Sequence, residues 1–270
     1  GANVETAFGT SVGGTTLAAQ LVDFNKIQFP NTEQTLTVGG SLDVYTRAYE
    51  PGLTTNSGAQ ASLKGWVGYS STNDNPANAG WTWVAATFNA ESGDEDEYKA
   101  TLSGLPIGTY YYAGRFQIGT GPYVYGGTGG NWNSDSVKLN VNPDVVDYAN
   151  VFTTGSATIT QGETKTIFAQ VYEPGVTPGA GAGAGITAQI GYSTSNTTPD
   201  GTWTWISAVY NVEVGNNDEY KIDLGTGLAP GTYYIASRFI KSGSSTYVYG
   251  GSAGIWNNNS ITLTVVADVV

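Results

Sequence analysis

The chain has 270 residues with 22 Asp+Glu against 10 Lys+Arg, a formal charge of −12, and no His, Cys or Met. So acidic a chain lacks the basic footprint that nucleic acid or an anionic membrane requires, and its side chains offer no zinc or haem ligation, thiol chemistry or histidine base. An enzyme built from it would have to work with carboxylates alone.

The 38 glycines, frequent Thr, Asn, Ser and Tyr, and a charged fraction of only 12% favour strands and turns over helices. No apolar run reaches the length of a membrane span, and Gly1-Ala2-Asn3-Val4-Glu5-Thr6 lacks the basic start and apolar centre of a signal peptide, as expected of a processed, exported chain.

Residues 1–22 stand outside any repeat. They are rich in Gly and Thr, and read either as an extended arm or as an added strand leading into the first domain. From Asp23 the chain runs through one module and then repeats it from Asp147. Tyr49-Glu50-Pro51-Gly52 returns as Tyr172-Glu173-Pro174-Gly175, Trp81-Thr82-Trp83 as Trp203-Thr204-Trp205, and Asp96-Glu97-Tyr98-Lys99 as Asp218-Glu219-Tyr220-Lys221. A repeat of this length is a domain duplication. The expected division is an arm over 1–22, a sandwich over 23–142, a linker over 143–146, a second sandwich over 147–266 and a tail over 267–270. The Asp-Val-Val of the linker recurs in that tail, so the tail reads as a junction onto a further module or subunit.

Within the first copy, alternation and turn residues predict strands at about 25–29, 34–38, 41–50, 61–70, 81–90, 96–102, 109–118, 122–126 and 135–142. Many short strands at even spacing predict an all-β fold, two tandem immunoglobulin- or fibronectin-like antiparallel sandwiches. Leu105 to Phe116 and Leu228 to Phe239 have the form of a tyrosine corner, a turn feeding an aromatic strand, with Tyr111 and Tyr234 as the expected corner residues. The low-complexity loop from Thr177 to Gly185 is expected at the surface.

Four groups of residues can carry function. The hairpins around Glu91, Asp94 and Asp96, and around Glu213 and Asp218, gather carboxylates that suit calcium, and are equally good turn chemistry. Trp81 and Trp83, with Trp203 and Trp205, share a strand face by the period of two; they form either a platform for stacking sugar rings or part of a core. Arg115 and Arg238 lie among apolar neighbours, where Glu50 and Glu173 can pair with them. Asn196-Thr197-Thr198 and Asn258-Asn259-Ser260 fit the N-glycosylation pattern, and Asp135-Ser136-Val137 resembles the short O-glycosylation motif of exported Bacteroidota proteins.

Tyr-Glu-Pro-Gly, Gly-Tyr-Ser, Trp-Thr-Trp, Asp-Glu-Tyr, Gly-Thr-Tyr-Tyr, Arg-Phe and Tyr-Gly-Gly together resemble a module repeated in large secreted and surface proteins of Bacteroidota. The resemblance implies an extracellular or cell-surface placement and an accessory role, and supplies no catalytic residue. The expected function is therefore non-enzymatic: a structural or adhesive subunit of an extracellular filament, surface layer or stalk, joined to copies of itself or to neighbouring modules. The alternative is a carbohydrate-binding pair using the exposed aromatics, with glycans as partners. No cofactor other than calcium is expected.

Overall fold

The computed structural model describes residues 21–152 and 155–269, and among these residues there is no helix. The arm expected over 1–22 therefore lies almost wholly outside the described residues. The chain divides into two compact units between Asn142 and Pro143.

The first unit holds β1 (Phe24–Phe29), β2 (Gln34–Thr37), β3 (Ser41–Tyr49), β4 (Leu63–Ser70), β5 (Thr82–Ser92), β6 (Glu95–Ser103), β7 (Gly108–Ile118), β8 (Val124–Gly126) and β9 (Val137–Asn142). Their order is β1-β3-β6-β5-β4-β7-β9-β2, with β8 on β7. The start of β5 pairs with β4 and its end with β6, so this one strand passes from one sheet of the sandwich into the other. The arrangement is the immunoglobulin-like one of four strands facing the remaining sheet. One pair departs from the expected antiparallel pattern: β2 runs parallel to β9.

The second unit repeats this plan with β10 (Tyr148–Val151), β11 (Ala157–Thr160), β12 (Lys165–Tyr172), β13 (Ile186–Ser193), β14 (Thr204–Ser207), β15 (Val209–Val214), β16 (Asn217–Leu224), β17 (Gly231–Lys241), β18 (Val248–Gly251), β19 (Gly254–Ile255) and β20 (Ile261–Val266). Its sheets are β10-β12-β16-β15 and β11-β20-β17-β13-β14, with β11 parallel to β20. Here the switching strand is broken at Ala208, whose amide donates to the carbonyl of Ala188, so the two sheets are separate.

The period of two builds each core. Ile27, Val44, Val67, Leu102, Tyr112, Phe116 and Leu139 are fully buried in the first unit, and Ile190, Ile235, Phe239 and Leu263 in the second. Each such side chain contributes about 1.5–3 kcal/mol through apolar burial. The tyrosine corners are real but one residue earlier than the sequence suggests. Tyr110 donates its hydroxyl to the carbonyl of Pro106 at 3.0 Å, and Tyr233 to that of Ala229 at 2.9 Å. The hydroxyl reaches back four residues, and Tyr110 and Tyr233 are the ones that share the core-facing parity of Tyr112 and Ile235. Tyr112 uses its own hydroxyl to tie β7 to the carbonyl of Pro30, at 2.8 Å.

The glycine-rich loop before β13 is exposed at Ala180, Ala182 and Ala184, but it is anchored. Thr177 is buried, and Gly183 donates its amide to Asp218 Oδ2 at 2.6 Å.

Candidate functional site

Three features of the structure have chemical character: an arginine–aromatic stack on one sheet of each unit, a buried acid in each acidic hairpin, and a cleft beside β8.

The stack begins with a glycine. Gly68 on β4 lies opposite Trp83 on β5, and Gly191 on β13 opposite Trp205 on β14. A methyl group at Gly68 or Gly191 would come within 2.5 Å of the facing indole, so the absent side chain is what lets each ring lie flat on the neighbouring strand. Trp81 and Trp83 then stack at 5.8 Å between centroids and 23° between planes, and Trp203 and Trp205 at 5.9 Å and 21°. Trp81 and Trp203 are buried, at 9% and 3% exposure, and Trp83 and Trp205 are half-buried.

Arg115 inserts into this group. Its guanidinium carbon is 4.1 Å from the ring centroids of both Trp83 and Tyr123, and 4.9 Å from that of Trp66. Arg238 repeats the arrangement with Trp205 at 4.3 Å and Tyr247 at 4.2 Å. A cation over an aromatic face contributes about 0.5–2 kcal/mol depending on its desolvation. Burial lowers the pKa of Arg115, an effect opposed by Tyr123 and Tyr125.

The two units differ at one register position. Trp66 faces Arg115, whereas Gln189 faces Arg238 and accepts its Nε–H at 2.7 Å. In the first unit Nε of Arg115 is buried without a hydrogen-bond partner among the described residues.

Among the described residues Arg238 therefore does not pair with Glu173, the partner expected from the sequence. Glu173 instead accepts from Lys241 at 2.6 Å, and Lys241 also reaches Asp144 at 2.9 Å. The first unit has Ile118 where the second has Lys241, so the two copies treat this position differently.

In the acidic hairpins, Glu91 lies opposite Asp96 and Glu213 opposite Asp218. Both aspartates have zero exposure. Among the described residues neither oxygen of Asp96 has a hydrogen-bond partner, and in the second unit Oδ1 of Asp218 and Oε1 of Glu213 are likewise buried without one. Burial, and then the facing Glu91, push the Asp96 carboxyl up to about 6. Asp218 is raised by burial and by Glu213, with the Gly183 amide pulling the other way. Glu91 accepts from the amide of Gly58. Asp94 is exposed, so the structure brings together two of the three carboxylates named for that hairpin. Among the described residues no three acidic side chains converge as a metal cluster would.

The cleft, of about 430 Å³, is lined by Tyr123, Tyr125, Trp132, Pro122, Asn75 and Asn131 among others. Asn131 is part of its wall by construction: it donates to the carbonyl of Asp23 and accepts the amide of Asn25, tying β1 to the loop after β8. The glycosylation-like Asp135-Ser136-Val137 has a structural use here. Asp135 accepts the amides of Gly129 and Asn133, and Ser136 accepts the indole N–H of Trp132 at 2.8 Å. Asn259 and Ser260 play the same parts for Asn257 and Trp256.

No family model matches the chain, and no curated protein does. Among solved structures it is similar to a putative membrane anchored protein from Corynebacterium diphtheriae, at 12% identity over 91% of this chain and 54% of that one, with a TM-score of 0.36. It is also similar to the titin domains Z1Z2, at 10% identity over 93% of this chain and all of that one, TM-score 0.35. A third is the fibronectin(III)-like modules of CbhA from Clostridium thermocellum, at 12% identity over 90% and 94%, TM-score 0.26. The immunoglobulin-like character of the two units rests on their own strand order.

Proposed function

We propose that the chain is a non-enzymatic structural or adhesive subunit of an extracellular filament, surface layer or stalk, its copies joined head to tail by strand addition. The observation that supports this reading is the outer side of β15. Val209, Val212 and Val214 are 62%, 47% and 37% exposed on a strand whose only sheet neighbour among the described residues is β16. The same positions of β5 in the first unit are Thr87, Ala90 and Ser92, in the same register against β6 and with the same bulge. An open strand edge beside an apolar surface is what an incoming strand needs, since its backbone groups pair with the edge and its side chains cover the valines. Residues 7–20 carry no charged side chain, which suits them as the donor. A contact between two different surfaces of identical copies propagates into an open fibre unless its rotation closes.

The test gives β15 the residues of β5, as Val209→Thr, Val212→Ala and Val214→Ser together, and follows assembly by electron microscopy and light scattering. Loss of assembly with an unchanged fold is expected, and unchanged filaments overturn the reading. A chain starting at Asp23 tests the donor separately: if it forms the same filaments as the full chain, the arm is not the joint.

A second reading, carbohydrate binding, is favoured by the cleft beside β8. None of its described lining residues is charged, and aromatic rings with amides around them suit a neutral sugar. Quenching of Trp132 fluorescence by neutral oligosaccharides, lost in Tyr123→Ala, would support it; no response across a glycan panel would end it.

A further inference from the structure

We infer that the acidic hairpin of each unit is a site for a hard divalent cation of the calcium class, and that the first unit holds it more tightly than the second.

Asp96 and Asp218 are fully buried, and each faces a second carboxylate across its hairpin. A buried carboxylate without donors is costly, and one opposed by a like charge is costlier, unless something positive neutralises it. The described protein supplies nothing of that kind at Asp96, whose two oxygens both lack a hydrogen-bond partner. In the second unit one oxygen of Asp218 takes the Gly183 amide, while Oδ1 and the facing Glu213 Oε1 remain without a partner. The arrangement occurs twice, at the same place in two hairpins whose tips differ: Ser92-Gly93-Asp94-Glu95 in one and Val214-Gly215-Asn216-Asn217 in the other.

Thr54 Oγ1 donates to the carbonyl of Asp94 at 2.7 Å, and Thr177 Oγ1 to that of Asn216 at 2.8 Å, so each hairpin tip is pinned beside its aspartate. Two carboxylates do not complete a coordination shell, and backbone carbonyls and water would supply the rest. Calcium accepts six to eight oxygens in irregular geometry, whereas magnesium demands a near-ideal octahedron and gives up its own water reluctantly. The Gly183 amide already satisfies part of the Asp218 charge, which is why the first unit is assigned the tighter site.

The competing explanation is a proton on Asp96, and the experiment separates the two. The full chain, Asp96→Asn and Asp218→Asn are melted near neutral pH in chelator, in millimolar calcium and in millimolar magnesium, and calcium binding is titrated by calorimetry. The expected results are a higher melting temperature for the wild-type chain in calcium than in chelator, and a smaller response to magnesium. Most of the calcium response should be lost in Asp96→Asn and a lesser part in Asp218→Asn, with Asp96→Asn the more stable protein in chelator. An unresponsive wild-type chain, an equal response to magnesium, or a calcium response that both variants keep would each overturn the assignment. The outcome is independent of filament assembly, which is measured by other means.

Discussion

Tyr110 donates its hydroxyl to the carbonyl of Pro106, four residues upstream, at 3.0 Å. That bond fixes the corner by which the chain enters β7, the strand that carries Tyr112 into the core and Arg115 onto the aromatic stack. Tyr110→Phe removes only the bond and should cost about 1 kcal/mol in denaturant unfolding, the usual worth of a protein hydrogen bond. Tyr111→Phe, at the residue the sequence favoured for the corner, should cost nothing measurable. Equal effects of the two substitutions would contradict the assigned corner.

The aromatic stack should depend on a buried glycine. Gly68→Ala places a methyl group 2.5 Å from the indole of Trp83 and must lift that ring away from Arg115. An overpacked substitution of this kind costs about 1–3 kcal/mol. The near-ultraviolet circular dichroism of the stacked indoles should fall with it, and Gly191→Ala should do the same in the second unit. A stable variant with an unaltered spectrum would show that the rings do not need the flat seat.

Lys241 is the partner of the buried Glu173 and of Asp144. Lys241→Ile, which copies the first unit's Ile118, leaves Glu173 as a buried charge without its cation and should destabilise the second unit by about 2 kcal/mol, less than a fully buried pair because Lys241 is partly exposed. Adding Glu173→Gln should recover much of that loss. A double-mutant cycle by denaturant unfolding checks it, and strictly additive losses would show that the two groups do not interact.

In chelator, the first unit should respond to pH through Asp96. Its carboxyl titrates near 6 when folded, raised by burial and by Glu91, against an ordinary value of 3.8. The folded state therefore holds the proton more tightly. The cost of charging Asp96 is absent below the ordinary value, grows as pH rises between the two values, and is fully present above about 6. Asp96→Asn removes that cost, so its advantage over the wild-type chain should be about 3 kcal/mol at neutral pH and should vanish below the ordinary value. The neighbouring Tyr98, pushed up to about 12 by burial and then by Asp96, stays neutral across this range. Parallel stability curves for the two proteins would refute this account.

Much of the fold was legible because strands write themselves at a period of two. The expected strand at 109–118 is found at Gly108–Ile118 and that at 135–142 at Val137–Asn142. The immunoglobulin-like sandwiches follow from the same alternation. The corner was misplaced by one residue because neighbouring tyrosines fit a turn equally well until parity assigns them. The candidate site was less legible. Trp83 and Arg115 meet because β4 lies between their strands and offers a glycine there, a lateral relationship that spacing along the chain does not encode. The buried state of Asp96 was equally hidden, since an acidic residue in a hairpin reads the same whether its carboxyl points to water or away from it. The parallel pairing of β2 with β9 also has no signature in alternation.

That parallel pairing has a mechanical consequence. β2 lies near the start of the first unit and β9 at its end, and their four-residue ladder from Gln34–Leu139 to Thr37–Asn142 runs in one direction. Tension drawn between the start of β2 and the end of β9 pulls the strands along their length in opposite directions. The ladder is then sheared as a block, and its bonds share the load instead of opening one after another. The second unit repeats the ladder between β11 and β20, so tension between those two strands is borne in the same shearing mode.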